Sequence, residues 1–185
     1  MSTLTDIINR IDAITLRLRD LERPIELPRY RCLYVQTADL VVANTTTITS
    51  LVGTGDGITT LPAGFLTVGR MLRITARGLI TTTGTPTLRI RLSVAGVTVS
   101  STLLTMLTVS GVSWALQADI VTRAASTVYA HGQFTYDVNP QVLLTGGAVS
   151  VTLSSPAAIF ASVQWGTANV LNTITCSHFM IEALN

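Results

Sequence analysis

The sequence predicts an all-β chain, an antiparallel sandwich preceded by one short helix. Three observations predict it. Charged residues make up only 12% of the 185 positions against 48% hydrophobic, so Thr, Ser, Gly, Asn and Gln must cover much of the surface, as they do in β proteins. From residue 31 onward, apolar and polar side chains alternate with a period of two. Before Pro24 the period is instead that of a heptad.

The elements follow in order. Leu4, Ile7, Ile11, Ile14, Leu18 and Leu21 are spaced three and four apart without a break, the a/d seam of a coiled coil. Thr3 with Asp6 is a variant capping box, and Pro24 stops the helix. A helix this short is marginal alone, and a 3.5-residue seam packs best against copies of itself. Ile in the middle of both a and d positions favours three strands, and Arg17 at g can pair with Glu22 at the next e position of a neighbouring chain. Residues 1–23 are therefore expected to form a parallel trimeric coiled-coil helix. The competing expectation is a helix that lies on its own β domain. Residues 24–30, with Pro24 and Pro28, read as an extended linker. Residues 31–185 suit one sandwich domain.

Within that domain, "MLRITARGLI" puts Leu72, Ile74, Ala76 and Gly78 on one face and Arg73, Thr75 and Arg77 on the other. "TLRIRLSV" buries Leu88, Ile90, Leu92 and Val94 and exposes Arg89 and Arg91. With "TTTGTP" between them these segments read as a hairpin, which would set all four arginines on one sheet face. Such a stripe suits contact with an acidic partner or a neighbouring subunit, or is a solvated face that discourages edge aggregation. Further strands are expected in "RCLYV", "LVVANTTTITSLV", "VTVSSTLL", "WALQADIVTR", "VYAHGQFTY", "AVSVTL", "AIFASVQW" and "NTITCSHFMIEAL". About nine or ten strands and no second helix point to a jelly roll. "LVGTGDGITTLPAGFLTVG" lacks alternation and reads as a loop.

Composition also excludes. The formal net charge of +2, with arginine as the sole basic residue type apart from two histidines, is too small to argue for nucleic acid. Mean hydropathy is high at +0.50, yet no apolar run is long enough to cross a bilayer, so no membrane insertion is expected. Charges interrupt every apolar run near the start, so export by the general route is not expected either. Cys32 and Cys176 are expected to be buried free thiols rather than a disulfide.

Catalytic signatures are missing. His131 and His178 have no metal-like spacing from a carboxylate or thiol. "GTGDG" at 53–57 lacks the lysine and the helix of a phosphate loop and reads as a turn. Asp39, Asp119 and Asp137 are not paired, and no GxSxG occurs. No enzyme activity, cofactor or metal is expected. Trp114, Trp165, Phe134 and Phe179 read as core or interface anchors.

"GRMLRITARGLITTTGTPTLRIRLSVAG", "WALQADIVTR" and "VQWGTANVLNTITCSHFMIEAL" resemble, in their order, small β-sandwich virion proteins of tailed bacteriophages, over about residues 66–185. Such proteins are similar in plan to trimeric jelly rolls of the tumour-necrosis-factor type. The resemblance implies a homotrimer located in a virion assembled in the host cytoplasm. It would contact other virion proteins of capsid or tail and, as a fibre or spike, a host surface receptor. A capsid decoration or cement protein and a cellular lectin-like module are the alternatives. No binding residue is carried over from the resemblance.

Overall fold

The computed structural model describes residues 31–137 and 147–185, together with the backbone of Asn139–Val142. The expected helix over 1–23, the 24–30 linker and the eight residues named for oligomerisation lie outside the described residues.

The described chain is β throughout and its strands pair antiparallel. In order they are β1 (Arg31–Gln36), β2 (Leu40–Ala43), β3 (Thr49–Ser50), β4 (Gly55–Gly57), β5 (Thr60–Leu61), β6 (Met71–Thr82) and β7 (Thr87–Val94). There follow β8 (Val97–Thr105), β9 (Val109–Ala124), β10 (Thr127–Tyr136), β11 (Asn139–Val142), β12 (Val149–Ser150), β13 (Ala157–Trp165) and β14 (Thr173–Ala183). The large sheet runs β11-β10-β9-β6-β14-β1-β4, with β12 beside β10 and β2 beside β14. The small sheet runs β3-β13-β7-β8, with β5 beside β13.

Both sheets turn one face to a single core. Alternation in β6 buries Leu72, Ile74, Ala76 and Ile80, and in β7 it buries Leu88, Ile90, Leu92 and Val94. From the other strands come Leu116, Phe134, Ile159, Val163, Trp165, Ile174, Phe179 and Ile181. Trp114 stacks on Phe134 with ring centroids 5.7 Å apart, and Phe179 meets Tyr34 edge-on at 6.3 Å. The four aromatic residues expected as anchors are all core residues, each contributing large apolar area to the space between the sheets.

The hairpin expected over 71–94 is not formed. β6 pairs with β9 and β14, whereas β7 pairs with β8 and β13 in the other sheet. Residues 83–86 therefore carry the chain across the sandwich as an arch. Gly84 turns there at φ +74°, and Pro86 has no N–H for a ladder. The Thr83 amide is instead capped by Asn172 Oδ1 at 2.9 Å. Two alternating strands that bury one face each satisfy an arch as well as a hairpin, so periodicity does not separate the two. The tight hairpins lie elsewhere: β7–β8 turns on Ala95 and Gly96, both at positive φ (51° and 79°), as a type I′ turn requires.

"GTGDG" is also not the expected turn. Gly55–Gly57 is an edge strand on β1, with Gly55 opposite Gln36 and Gly57 opposite Tyr34. Side chains at Gly55 and Gly57 would run into the Tyr34 ring and the Leu33 carbonyl, so only glycine lets this edge close on β1. Tyr34 Oη donates to the Gly53 carbonyl at 2.6 Å, and Gln36 bridges Gly53 N and the Cys176 carbonyl at 2.9 and 2.7 Å. "AVSVTL" forms only the two-residue strand β12, although Val151 and Leu153 still reach the core.

Candidate functional site

The outer faces of the two sheets hold the polar chemistry of the described residues. On the large sheet, pairing register lines up Cys32 with Glu182, Glu182 with Arg73, Arg73 with Asp119, and Asp119 with His131. Five strands thus set a thiol, a carboxylate, a guanidinium, a second carboxylate and an imidazole side by side. Arg73 and Asp119 form a two-pronged ion pair, with Nε donating to Oδ1 at 2.9 Å and Nη2 to Oδ2 at 3.1 Å, the planar geometry that favours arginine over lysine. Two rungs further along the same face, past Thr75 and Met180, His178 lies opposite Arg77. Beside Arg77 a shallow depression of about 290 Å³ is lined by Gly78, Ser113, Ala115, Thr135 and Asp137.

On the small sheet, Arg89 and Arg91 point away from the core, opposite Gln164 and Ser162 of β13 and Leu103 and Ser101 of β8. Gln164 is fixed at both ends. Its Oε1 accepts from Arg91 Nη2 at 2.7 Å, and its Nε2 donates to the Thr46 carbonyl at 2.8 Å. Arg91 Nη1 and Ser162 Oγ are buried without a hydrogen-bond partner among the described residues. Burial, and then the neighbouring Arg89 charge, pull the Arg91 pKa below the ordinary arginine value.

The four arginines expected as one stripe are therefore two pairs on opposite sides of the sandwich. Arg73 and Arg77 belong to β6 and Arg89 and Arg91 to β7, so the arch that replaces the hairpin is what separates them. Asp119, Glu182, His131 and Gln164 were not legible as their companions, because cross-strand register depends on which strands pair.

The cysteines are both free, but only Cys176 is buried; Cys32 is exposed on the outer edge of β1. Cys32 sits opposite Glu182, six positions along β14 from Cys176, a separation of about 20 Å at strand rise and far beyond disulfide reach. Burial raises the Cys176 thiol to about 11, against partial relief from the His178 and Arg77 backbone. The same burial raises Tyr34, with Cys176 as the second cause. His131 and His178 lie on different rungs of the large sheet. Among the described residues no group of three or more His, Cys, Asp or Glu is placed to hold a metal ion, and no helix is long and apolar enough to cross a membrane.

What these faces can do chemically is bind: fixed guanidiniums, amides and hydroxyls on rigid strands recognise a partner's polar groups. No protein-family model matches the chain, and no curated protein does. Among solved structures, the chain is similar to the CBM2 module of the evolved Dit of Lactobacillus casei BL23 phage J-1, with 12% identity over 68% of each chain. The TM-score of that match is 0.33, a likeness too slight to carry an argument about this chain.

Proposed function

We propose that the chain is a non-enzymatic structural protein of a tailed-phage particle, a trimeric surface knob held through residues 1–23 and acting as a tail fibre or spike tip. The observation that carries the reading is the strand order. With the β10–β12 extension and the short strands β2, β4 and β5 set aside, the remaining eight strands are arranged 1-8-3-6 and 2-7-4-5 in the two sheets. That is the connectivity of a jelly roll. It agrees with the resemblance of residues 66–185 to phage sandwich proteins of that plan, and the heptad at Leu4 to Leu21 adds a means of assembly.

Assembly is then cooperative. Three short helices gain little alone, but three sandwiches gathered around one axis hold the helices at high local concentration. A stalk of about 30 Å, from about 1.5 Å per residue, is short for a reaching fibre, which favours capsid decoration as the second reading.

Sedimentation of the full chain tests the assembly. The expected mass is three times that of one chain, falling to a single-chain mass in the double variant Ile11→Asp/Ile14→Asp while the β circular-dichroism signal persists. A single-chain mass for the unaltered protein at working concentration would overturn the reading. Binding to host cells separates a fibre tip from a decoration protein, which would instead raise the thermal resistance of heads.

A further inference from the structure

The geometry points to an oxyanion site, for a carboxylate or phosphate group, on the outer face of the small sheet at Arg89 and Arg91. It goes beyond the structural role proposed above and does not depend on how many chains assemble.

The first argument is the distribution of charge. The acids of the chain beyond residue 30 are Asp39, Asp56, Asp119, Asp137 and Glu182. Asp56, Asp119 and Glu182 lie on large-sheet strands, Asp39 between two of them, and Asp137 directly after β10. The strands of the small sheet carry none, yet two arginines project from their outer face. At positions i and i+2 of one strand these guanidiniums stand about 7 Å apart at their roots, where like charges repel unless an anion answers them.

The second argument is contrast with the other arginines. Arg73 grips Asp119 with two hydrogen bonds and faces Glu182 on its other side. Arg77 lines a depression together with Asp137. Arg70 lies over the Phe65 ring at 5.0 Å and Arg123 over Tyr129 at 4.3 Å. Arg89, like the exposed Arg31 at the start of β1, has no hydrogen-bond or ion-pair partner among the described residues, but of these two it is Arg89 that shares its strand with a second arginine and stands against a depression.

The third argument is that the site is already organised. Gln164, held by the Thr46 carbonyl, pins Arg91, so part of the ordering cost of binding is met before any ligand arrives. Arg91 Nη1 and Ser162 Oγ, one rung along from Arg89 and Gln164, are unpartnered among the described residues but sealed from solvent, so the open guanidinium of the pair is that of Arg89. Against Arg89 lies a depression of about 280 Å³ whose lining includes Thr46, Thr87, Gln164 and Leu103. That is room for about nine waters at about 30 Å³ each, which suits one anionic group with a short carbon or sugar attachment. The guanidinium fork matches both carboxylate and phosphate oxygens.

The test is a titration of the full chain, following the arginine Nε–Hε resonances by NMR. Sodium phosphate is used in one arm and sodium citrate in another, with sodium chloride at matched ionic strength as the control. Saturable shifts at Arg89 and Arg91, with Arg73 unmoved, are expected for phosphate or citrate and not for chloride. The tighter of the two arms names the ligand chemistry. Arg89→Gln, at a half-exposed position that leaves the core intact, should weaken the affinity by about tenfold or more, and Arg91→Lys should weaken it less. Shifts that follow ionic strength alone, equal shifts at Arg73, or unchanged affinity in Arg89→Gln would each overturn the proposal.

Discussion

The thiol of Cys176 makes the burial of the large sheet's inner face measurable. It lies fully inside the core, opposite Gly78 and Leu40, and its Sγ is directed at the His178 carbonyl at 3.4 Å. Its pKa rises from 9.0 to about 11 because burial penalises the thiolate. The native state therefore keeps a proton that the unfolded chain gives up first. The associated stability is present in full below about pH 9 and is lost as pH climbs to about 11. At about 1.4 kcal/mol per pH unit, the loss over that window is about 2 to 3 kcal/mol.

Tyr34 is raised as well, chiefly by burial, so the assay must be differential. Urea unfolding of the protein and of Cys176→Ala at about pH 8 and about pH 11 cancels the part of the Tyr34 shift that burial causes and leaves the thiol with its coupling to Tyr34. At the lower pH the variant should be the less stable because its lost methylene-sized volume leaves a small cavity. At the higher pH the gap should narrow or reverse by about 2 kcal/mol. A gap that stays constant between the two conditions would show that Cys176 is not shielded from water as described.

Other expectations follow from single contacts. Ellman's reagent should label Cys32 rapidly and Cys176 only on unfolding, since one is exposed and the other buried; two fast equivalents would contradict this placement. Asp119→Ala should cost no more than about 1 kcal/mol in chemical denaturation, with a dependence on salt, because the ion pair with Arg73 is partly solvated. Gly78→Ala should cost more, about 2 kcal/mol or above, because a Cβ there would collide with the Thr175 carbonyl; a denaturation midpoint like that of the unaltered protein would refute the contact. Gln36→Leu should cost about 2 to 4 kcal/mol, because it strands Gly53 N and the Cys176 carbonyl, and hydrogen exchange at Gly53 should accelerate with it.

The β class and the inward residues of the longest strands were legible because a sheet with one buried face writes its period into the chain. In β6 and β7 the expected inward set, Leu72, Ile74, Ala76, Leu88, Ile90, Leu92 and Val94, is buried; Gly78 is only partly so. Pairing was not legible. Arg73 meets Asp119 across 46 positions and Arg91 meets Gln164 across 73, and neither contact leaves a local trace. The strands missed altogether, β4, β5 and β11, are two to four residues long, too short to show a period even where one side chain, Leu61, reaches the core. A pattern of side chains has nothing to say about such segments. The exposed position of Cys32 escaped for a related reason, since the register shift between Cys32 and Tyr34 breaks the alternation there.

The place of β14 carries a consequence for biosynthesis. It is the last strand of this sandwich to leave the ribosome, yet it lies in the interior of the large sheet, joined to β1 and β2 on one flank and to β6 on the other. Until Thr173–Ala183 has emerged, the earlier strands can pair among themselves, β6 beside β9, β7 beside β8 and β13, and β1 beside β4, but nothing joins β1 and β2 to β6. The nascent polypeptide must wait, with a sticky seam open along β6, for Thr173–Ala183 to act as a keystone. A premature stop anywhere before them should yield insoluble material instead of a smaller soluble protein.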